Sequence, residues 1–573
     1  MPDTAPTGLQ ALILCGPGGS LNTFTCRPEE FPKALISVAN RPMVFYAIDL
    51  CRHAKITDIT LITPPLSYPP LRQAVDSNPY LTSPFLPSVS IIAPKHLNMT
   101  MGTAEILRLP EVQRCIKTNF LLLPCDIICE LSGESIIEAW LTTQSAFKAV
   151  LDSPNPAAVG SPGTGSFFQR KKPDRSKTEP EKKERRGALS VYYQTDYREE
   201  SVPEEATDFV AITQLEPNDT CVLPSRADPT KPRFNLSKLL MSMPMATIKE
   251  NIKDESRLPL RRSLVQHSGR VRVLTTFRDA HIYIFPFWVK DLLKYQDKLE
   301  SISEDFIGNW AKSAWQAGLG DKLGLTKDFD PPELPTPSTL HHGAFVDKVI
   351  DLRRMSSTKS CLKTDIPAFL AGLKTAESSF SGSSFSSQCS TPQNQTLQPR
   401  PPTELPQLLA YVHRGSKPFI RRVDSTATLL STSLLIAKLS SFEEVGSEVA
   451  SSLAHARKIT HPDNIAFRSV VTKKDCLIDR NVIVEAGIVI KESVIGAECH
   501  INSGVRIIGC VLMEGVVVED RVQLTGCVVG HRARIGRGCV LRNCEVQDAL
   551  AVTDGTIARD DKLMVDVAMS ESD

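Results

Sequence analysis

The sequence predicts a two-part protein, an α/β domain of the doubly wound, Rossmann-like kind followed by a parallel β-helix. Three observations carry that expectation. Strand-like apolar runs alternate with helical segments over about the first 150 residues. A glycine-rich turn follows the first of those runs directly, and near the end of the chain short aliphatic residues recur every six positions. At 573 residues the chain is also too long for one hydrophobic core.

The elements follow in order. Residues 9–15 read as a buried strand running into Gly16-Pro17-Gly18-Gly19-Ser20. Pro42 then opens a helix with Met43, Tyr46, Ala47 and Leu50 on one face, because proline suits a first helical turn. Strands are expected at 59–62, 89–92 and 120–123, and helices at 104–109, 135–141 and 288–299. Such alternation predicts a parallel sheet covered on both faces.

Two stretches interrupt it. A basic insertion at about 160–187 contains Q-R-K-K-P-D-R-S-K-T-E-P-E-K-K-E-R-R, with almost nothing to bury, and reads as a disordered solvated loop rather than a nucleic-acid or nuclear-import patch. A linker rich in proline and serine, with P-P-E-L-P-T-P and E-S-S-F-S-G-S-S-F-S-S, reads as mostly disordered apart from a short helix at 367–376. The expected division is 1–318 for the first domain, 319–410 for the linker, 411–560 for the β-helix and 561–573 for a tail.

The β-helix rests on four series: Val482, Ile488 and Val494; Ile495, Ile501 and Ile507; Val516, Val522 and Val528; Val529, Ile535 and Leu541. Each V-I-G or V-V-G step slips the register by one. A six-residue period fits neither an α-helix nor a hairpin meander, and each apolar residue is expected to point into a triangular prism. Gly487, Gly496, Gly504 and Gly530 fall where corners need relaxed sterics.

Composition excludes several classes. With 66 basic and 65 acidic residues the formal net charge is +1, which offers no general attraction to nucleic acid or an anionic membrane. The 15 cysteines include no C-x-x-C pair; Cys125 and Cys129 come closest, without histidines at ligand spacing. Structural zinc is therefore not expected, and free thiols fit a reducing compartment. Residues 1–10 lack a basic signal-peptide region, and no apolar run approaches the roughly 20 residues of a membrane span. The expectation is a protein of the cytosol with no cofactor.

The chemistry is concentrated in residues 14–43, which read L-C-G-P-G-G-S-L-N-T-F-T and then F-P-K-A-L-I-S-V-A-N-R-P-M. This resembles the sugar-phosphate nucleotidyltransferases, whose pattern is roughly L-A-G-G-x-G-T-R-L followed by P-K-P-L-x-P-V-x-x-x-P-M. In that family the glycine loop wraps a nucleoside triphosphate through bare backbone N–H groups. Lys33 stands at the family lysine, with Pro32, Asn40, Pro42 and Met43 matching around it. Gly102-Thr103-Ala104 matches the nucleotide-side G-T-A, and Asp126 the first metal-binding aspartate. Against this, Pro17 replaces a loop glycine, Leu21 replaces the catalytic arginine, and Arg27 lies six positions further on. A positioned arginine in phosphoryl transfer is worth about a thousandfold in rate. No catalytic residue is therefore expected. Gly16, Gly18, Gly19, Lys33, Gly102, Thr103 and Asp126 read as a vestigial nucleotide site, with Lys33 kept for packing or for pairing with a carboxylate, and Asp126 as a strand-end cap.

Within the family, the architecture with a left-handed hexapeptide β-helix occurs in mannose-1-phosphate guanylyltransferases and in gamma and epsilon subunits of translation initiation factor 2B. The damaged loop, Asp279-Ala280-His281-Ile282-Tyr283-Ile284 and Phe419-Ile420-Arg421-Arg422-Val423 look like the gamma type, in its fungal form. About 26 residues follow Gln547, where an epsilon type is expected to continue into a helical catalytic domain. The resemblance implies a non-catalytic subunit of a guanine-nucleotide exchange complex. Its partners would be the epsilon subunit as heterodimer mate, the alpha, beta and delta subunits, and translation initiation factor 2, the G protein whose GDP is exchanged for GTP. An active nucleotidyltransferase and a nucleotide-sensing regulatory subunit are the alternatives.

Overall fold

Aliphatic runs too apolar for a half-wet strand form the centre of a nine-stranded sheet. In this computed structural model the described residues are 8–16, 19–82, 89–98, 100–141, 186–196, 201–203, 205–215, 235–255, 261–326, 405–446 and 449–565. The sheet runs in the order Val89–Ile92, Asp58–Ile62, Gln10–Leu14, Phe120–Pro124, Val271–Phe285, Ala188–Gln194, Leu408–His413, Leu236–Pro244 and Asp208–Thr213. The first four strands are parallel, as the strand–helix alternation predicts. Beyond them the sheet is mixed, since Val271–Phe285 runs antiparallel to both of its neighbours. The helix Met43–His53 buries Met43, Tyr46, Ala47 and Leu50. The helix Trp288–Lys294 stops short of the expected 299. The main core collects Leu12, Phe120, Tyr283, Phe285, Phe306 and Trp310.

The domain boundaries differ from the sequence reading. Leu408–His413 is a central strand of the first domain, parallel to Ala188–Gln194 and antiparallel to Leu236–Pro244. Helix Leu319–Leu323 belongs there too, as Leu323 and Leu325 are buried in that core with Leu405 against it. The first domain thus extends past residue 318 and resumes at residue 405, because a strand buried on both faces reads the same whichever domain supplies its neighbours. The basic insertion, except for its last residues, the linker segment 327–404 and the helix expected at 367–376 lie outside the described residues.

The C-terminal part is a left-handed parallel β-helix. From Leu477 onward each strand lies beside the one seventeen residues on, so that Val494 pairs with Val511, Val511 with Val528 and Val528 with Glu545. Two six-residue steps and one of five close each coil. Ile495, Ile501 and Ile507 point inward, as do Val529, Ile535 and Leu541, and all are buried in one column of core. Val482, Ile488, Val516 and Val522 join the same core.

Val494 and Val528 depart from the expected register. Each precedes an inward residue on a two-residue strand, and neighbouring side chains of a strand point to opposite faces. They are nevertheless at most 1% exposed, as is Val511 between them, because that outer face is covered. Helix Thr426–Lys438 lies on its strands. The Asn40 amide donates to the Ile495 carbonyl at 2.9 Å, and the Arg41 guanidinium donates to the carbonyls of Leu453 and Ala454 at 3.0 and 2.7 Å. Phe31 stacks on His531 with centroids 5.5 Å apart. One face of the prism is therefore joined to the first domain. Among the described residues no helix is long and apolar enough to cross a membrane.

Candidate functional site

The parallel half of the sheet ends its strands at one edge, where open α/β sheets hold ligands. Asp126 sits there, between Phe120–Pro124 and the short strand Ile127–Cys129. That short strand pairs antiparallel with Ile420–Arg422, which puts Arg422 opposite Ile127. The Val423 N–H also donates to the Asp126 carbonyl at 2.8 Å.

Two cations of the chain itself hold the Asp126 carboxylate. The Lys33 ammonium donates to Oδ2 at 2.8 Å and to the Ser20 hydroxyl at 2.7 Å. Arg422 adds a fork, Nε to Oδ1 at 3.2 Å and Nη2 to Oδ2 at 3.1 Å. Its third nitrogen lies 3.3 Å from His281 Nε2. Asp126 is 1% exposed and Lys33 6%. Burial alone would raise the Asp126 pKa, but Arg422 and then Lys33 outweigh it and hold the carboxyl well below the usual range. Burial, then Arg422, push His281 well below its usual value, so its ring is neutral and accepts from the guanidinium.

A second layer supports Arg422. The Tyr193 hydroxyl accepts from its backbone N–H at 3.2 Å and donates to Glu205 at 3.0 Å. Glu205 lies 3.5 Å from Arg278, which also pairs with Asp424. Behind them, Asp208 accepts from the Asp279 N–H at 2.7 Å, and burial together with the Asp208 charge pushes the Asp279 carboxyl up to about 7. Val271–Phe285 shifts register between Asp279 and Tyr283, and His281 adopts a left-handed φ of 54° there. That bulge turns the imidazole to meet Arg422.

The residues expected to form a vestigial nucleotide site divide. Lys33 and Asp126 come together. Gly102, Thr103 and Ala104 are stitched instead to residues 300–302: the Ala104 N–H donates to the Glu300 carbonyl, and the Thr103 hydroxyl accepts from the Ile302 N–H, both at 2.9 Å. A Cβ on Gly102 would approach the Glu300 oxygen to 2.2 Å, so this glycine serves close packing. A Cβ on Gly16 or Gly19 would meet nothing within 4 Å. Pro17 and Gly18 lie outside the described residues. Leu21 is 6% exposed with a φ of 58°, a buried left-handed position. Among the described residues no group of three or more His, Cys, Asp or Glu side chains is placed to hold a metal ion. Sequence reasoning assigned no chemistry to Arg422, Tyr193 or Glu205; the adjacent Arg421 and Arg422 among apolar residues were the available signal.

Fold and site together define an α/β domain with a closed polar cluster at its strand ends, carrying a left-handed β-helix. Residues 472–572 match the family described as the GMPPB C-terminal domain. The chain is similar to translation initiation factor eIF2B subunit gamma of Schizosaccharomyces pombe (strain 972 / ATCC 24843), with 24% identity over 330 residues, 57% of this chain. The match spans 56% of the length of that curated relative.

Proposed function

We propose that this chain is a non-catalytic, gamma-type subunit of the translation initiation factor 2B exchange complex, acting in the cytosol by pairing with and positioning the catalytic epsilon subunit. The alpha, beta and delta subunits would complete the assembly, and its substrate would be translation initiation factor 2, whose GDP is replaced by GTP. The observation that carries this reading is the closed triad of Lys33, Asp126 and Arg422. A carboxylate that is to bind magnesium against pyrophosphate must have free oxygens, and both oxygens of Asp126 are taken up by the chain's own cations. Displacing the fork would leave a buried guanidinium unpaired, at a cost of about 3 kcal/mol or more. Likeness to a gamma subunit adds to this reading.

The test is affinity purification of the tagged full chain from its own cells, with mass spectrometry. The expected result is recovery of the epsilon, alpha, beta and delta subunits in near-equal amounts. Recovery alone, or only with copies of itself, would overturn the proposal. Beside it, neither the wild type nor Leu21→Arg is expected to release pyrophosphate from GTP and a sugar phosphate. Turnover by the wild type would favour an active transferase.

A further inference from the structure

The prism has three faces, and their outward residues differ in kind. The face through Val494, Val511 and Val528 is covered, as described. A second carries Ile483–Val484, His500–Ile501, Val517–Val518, Arg534–Ile535 and Ala551–Val552. There His500 lies 3.9 Å from Glu485 and Arg534 2.6 Å from Glu519, so the bases have acids beside them.

The third face carries Val470–Val471, Val489–Lys491, Arg506–Ile508, Gln523–Thr525, Val540–Arg542 and Ile557–Arg559. Its strands hold Lys491, Arg506, Arg542 and Arg559 and no aspartate or glutamate. Arg542 and Arg559 stand directly opposite each other across adjacent strands, a like-charge arrangement that costs stability. Among the described residues Lys491, Arg506 and Arg542 form no ion pair, and Arg559 reaches only Asp560 in the next corner. Aliphatic side chains stand between these cations: Ile557 is 81% exposed and Val470 55%, with Val489, Ile508 and Val540 partly exposed.

The geometry points to a docking surface for an acidic protein partner whose carboxylates alternate with apolar side chains. Lys491, Arg506 and Arg542, without ion pairs on a chain of net charge +1, supply the charge complementarity, and the columns of a parallel sheet fix the strand spacing at about 4.8 Å. Aliphatic residues with no aromatic among them favour protein over nucleic acid, which calls for rings that stack on bases. The inference rests on the assembly reading only for where such a partner would be found.

The test uses the full chain and fluorescence anisotropy with two labelled probes, a peptide of alternating glutamate and leucine and an oligouridylate of equal charge. The peptide is expected to bind in a salt-sensitive manner. Its affinity should fall by about tenfold or more when Lys491, Arg506, Arg542 and Arg559 are all changed to Glu. A smaller loss is expected for Ile557→Ser, with circular dichroism unchanged in both. Failure of the peptide to bind at millimolar concentration, or binding indifferent to these changes, would overturn the proposal. So would an oligouridylate that binds as tightly and is lost in the same variant, since the face would then read nucleic acid. Because the probe is a peptide and not a subunit, failure here leaves the assembly reading standing, and failure of the assembly leaves this result standing.

Discussion

Asp126 and Asp279 lie in one polar cluster and respond to pH in opposite directions. The folded pKa of Asp126 is held below its unfolded value, so its contribution to stability is whole above about pH 4 and is lost as pH falls from there. Asp279 is raised to about 7, so the fold favours its protonated form. Stability then declines as pH climbs from about 4 to about 7 and stays lower beyond. Asp548, in the prism, is pushed up to about 7 as well and titrates in the same window. Asp279→Asn is therefore expected to lessen that decline by on the order of 3 kcal/mol without abolishing it, while leaving the acid limb governed by Asp126. Urea midpoints of wild type and variant at pH 5 and pH 8 measure this, and equal slopes for both would refute it. Arg422→Met should cost roughly 3–5 kcal/mol, since it leaves a buried carboxylate with one cation instead of two. A urea midpoint unchanged from wild type would contradict that. Lys33 and Asp126 were legible in the sequence because they stand within recognisable spacing of a loop and a strand end. Arg422 was not, since it lies 296 residues from Asp126 and reaches it through strand pairing that no local pattern encodes.

Corner geometry decides the behaviour of the β-helix as an element. The six-residue rhythm was legible because inward aliphatics keep it along two sides of each coil. The side through Val494 and Val528 was misread, because both residues of their two-residue strands are aliphatic and buried, and either could be offered to the core. The four singled-out glycines also divide by cause. Gly487 and Gly504 have φ values of 74° and 71°, whereas Gly496 and Gly530 are where the next coil approaches. A Cβ on Gly496 would lie 2.7 Å from the Met513 carbonyl carbon and 2.8 Å from the Glu514 nitrogen, both backbone atoms that cannot swing aside. Gly496→Ala should therefore destabilise the prism by about 1–3 kcal/mol. Ala549, exposed with a φ of 56°, should by contrast gain about 1 kcal/mol when changed to glycine. Thermal midpoints that move in opposite directions confirm the pair, and a loss for Ala549→Gly would contradict the strain assigned to that corner.

At the scale of the molecule, what matters is how the two folded parts are coupled. That there are two was legible, because strand–helix alternation and a coil repeat cannot share one core. Where they divide was not: Leu408–His413 sits between strands from far earlier in the chain, so the segment just before the prism belongs to the other domain. From there the chain crosses Ile420–Arg422, which closes over Asp126, and enters helix Thr426–Lys438, which lies on the covered face. Closure of the site and docking of the prism thus use one continuous stretch of chain, and loosening one should loosen the other. Val511→Asp tests this. Val511 is 1% exposed on the outer side of its strand, beneath that helix, while the inward Leu512 beside it stays untouched. A carboxylate there costs several kcal/mol unless the face opens. Wild type should melt in one calorimetric transition. The variant should melt in two, with the prism retaining its own stability through Ile507, Leu512 and Leu524, and with amide exchange at residues 420–423 accelerated. Gln523→Asp, on the basic face, should leave both readouts unchanged. Two transitions already present in the wild type, or unchanged exchange at 420–423 in Val511→Asp, would mean that the site and the prism are neighbours without being coupled.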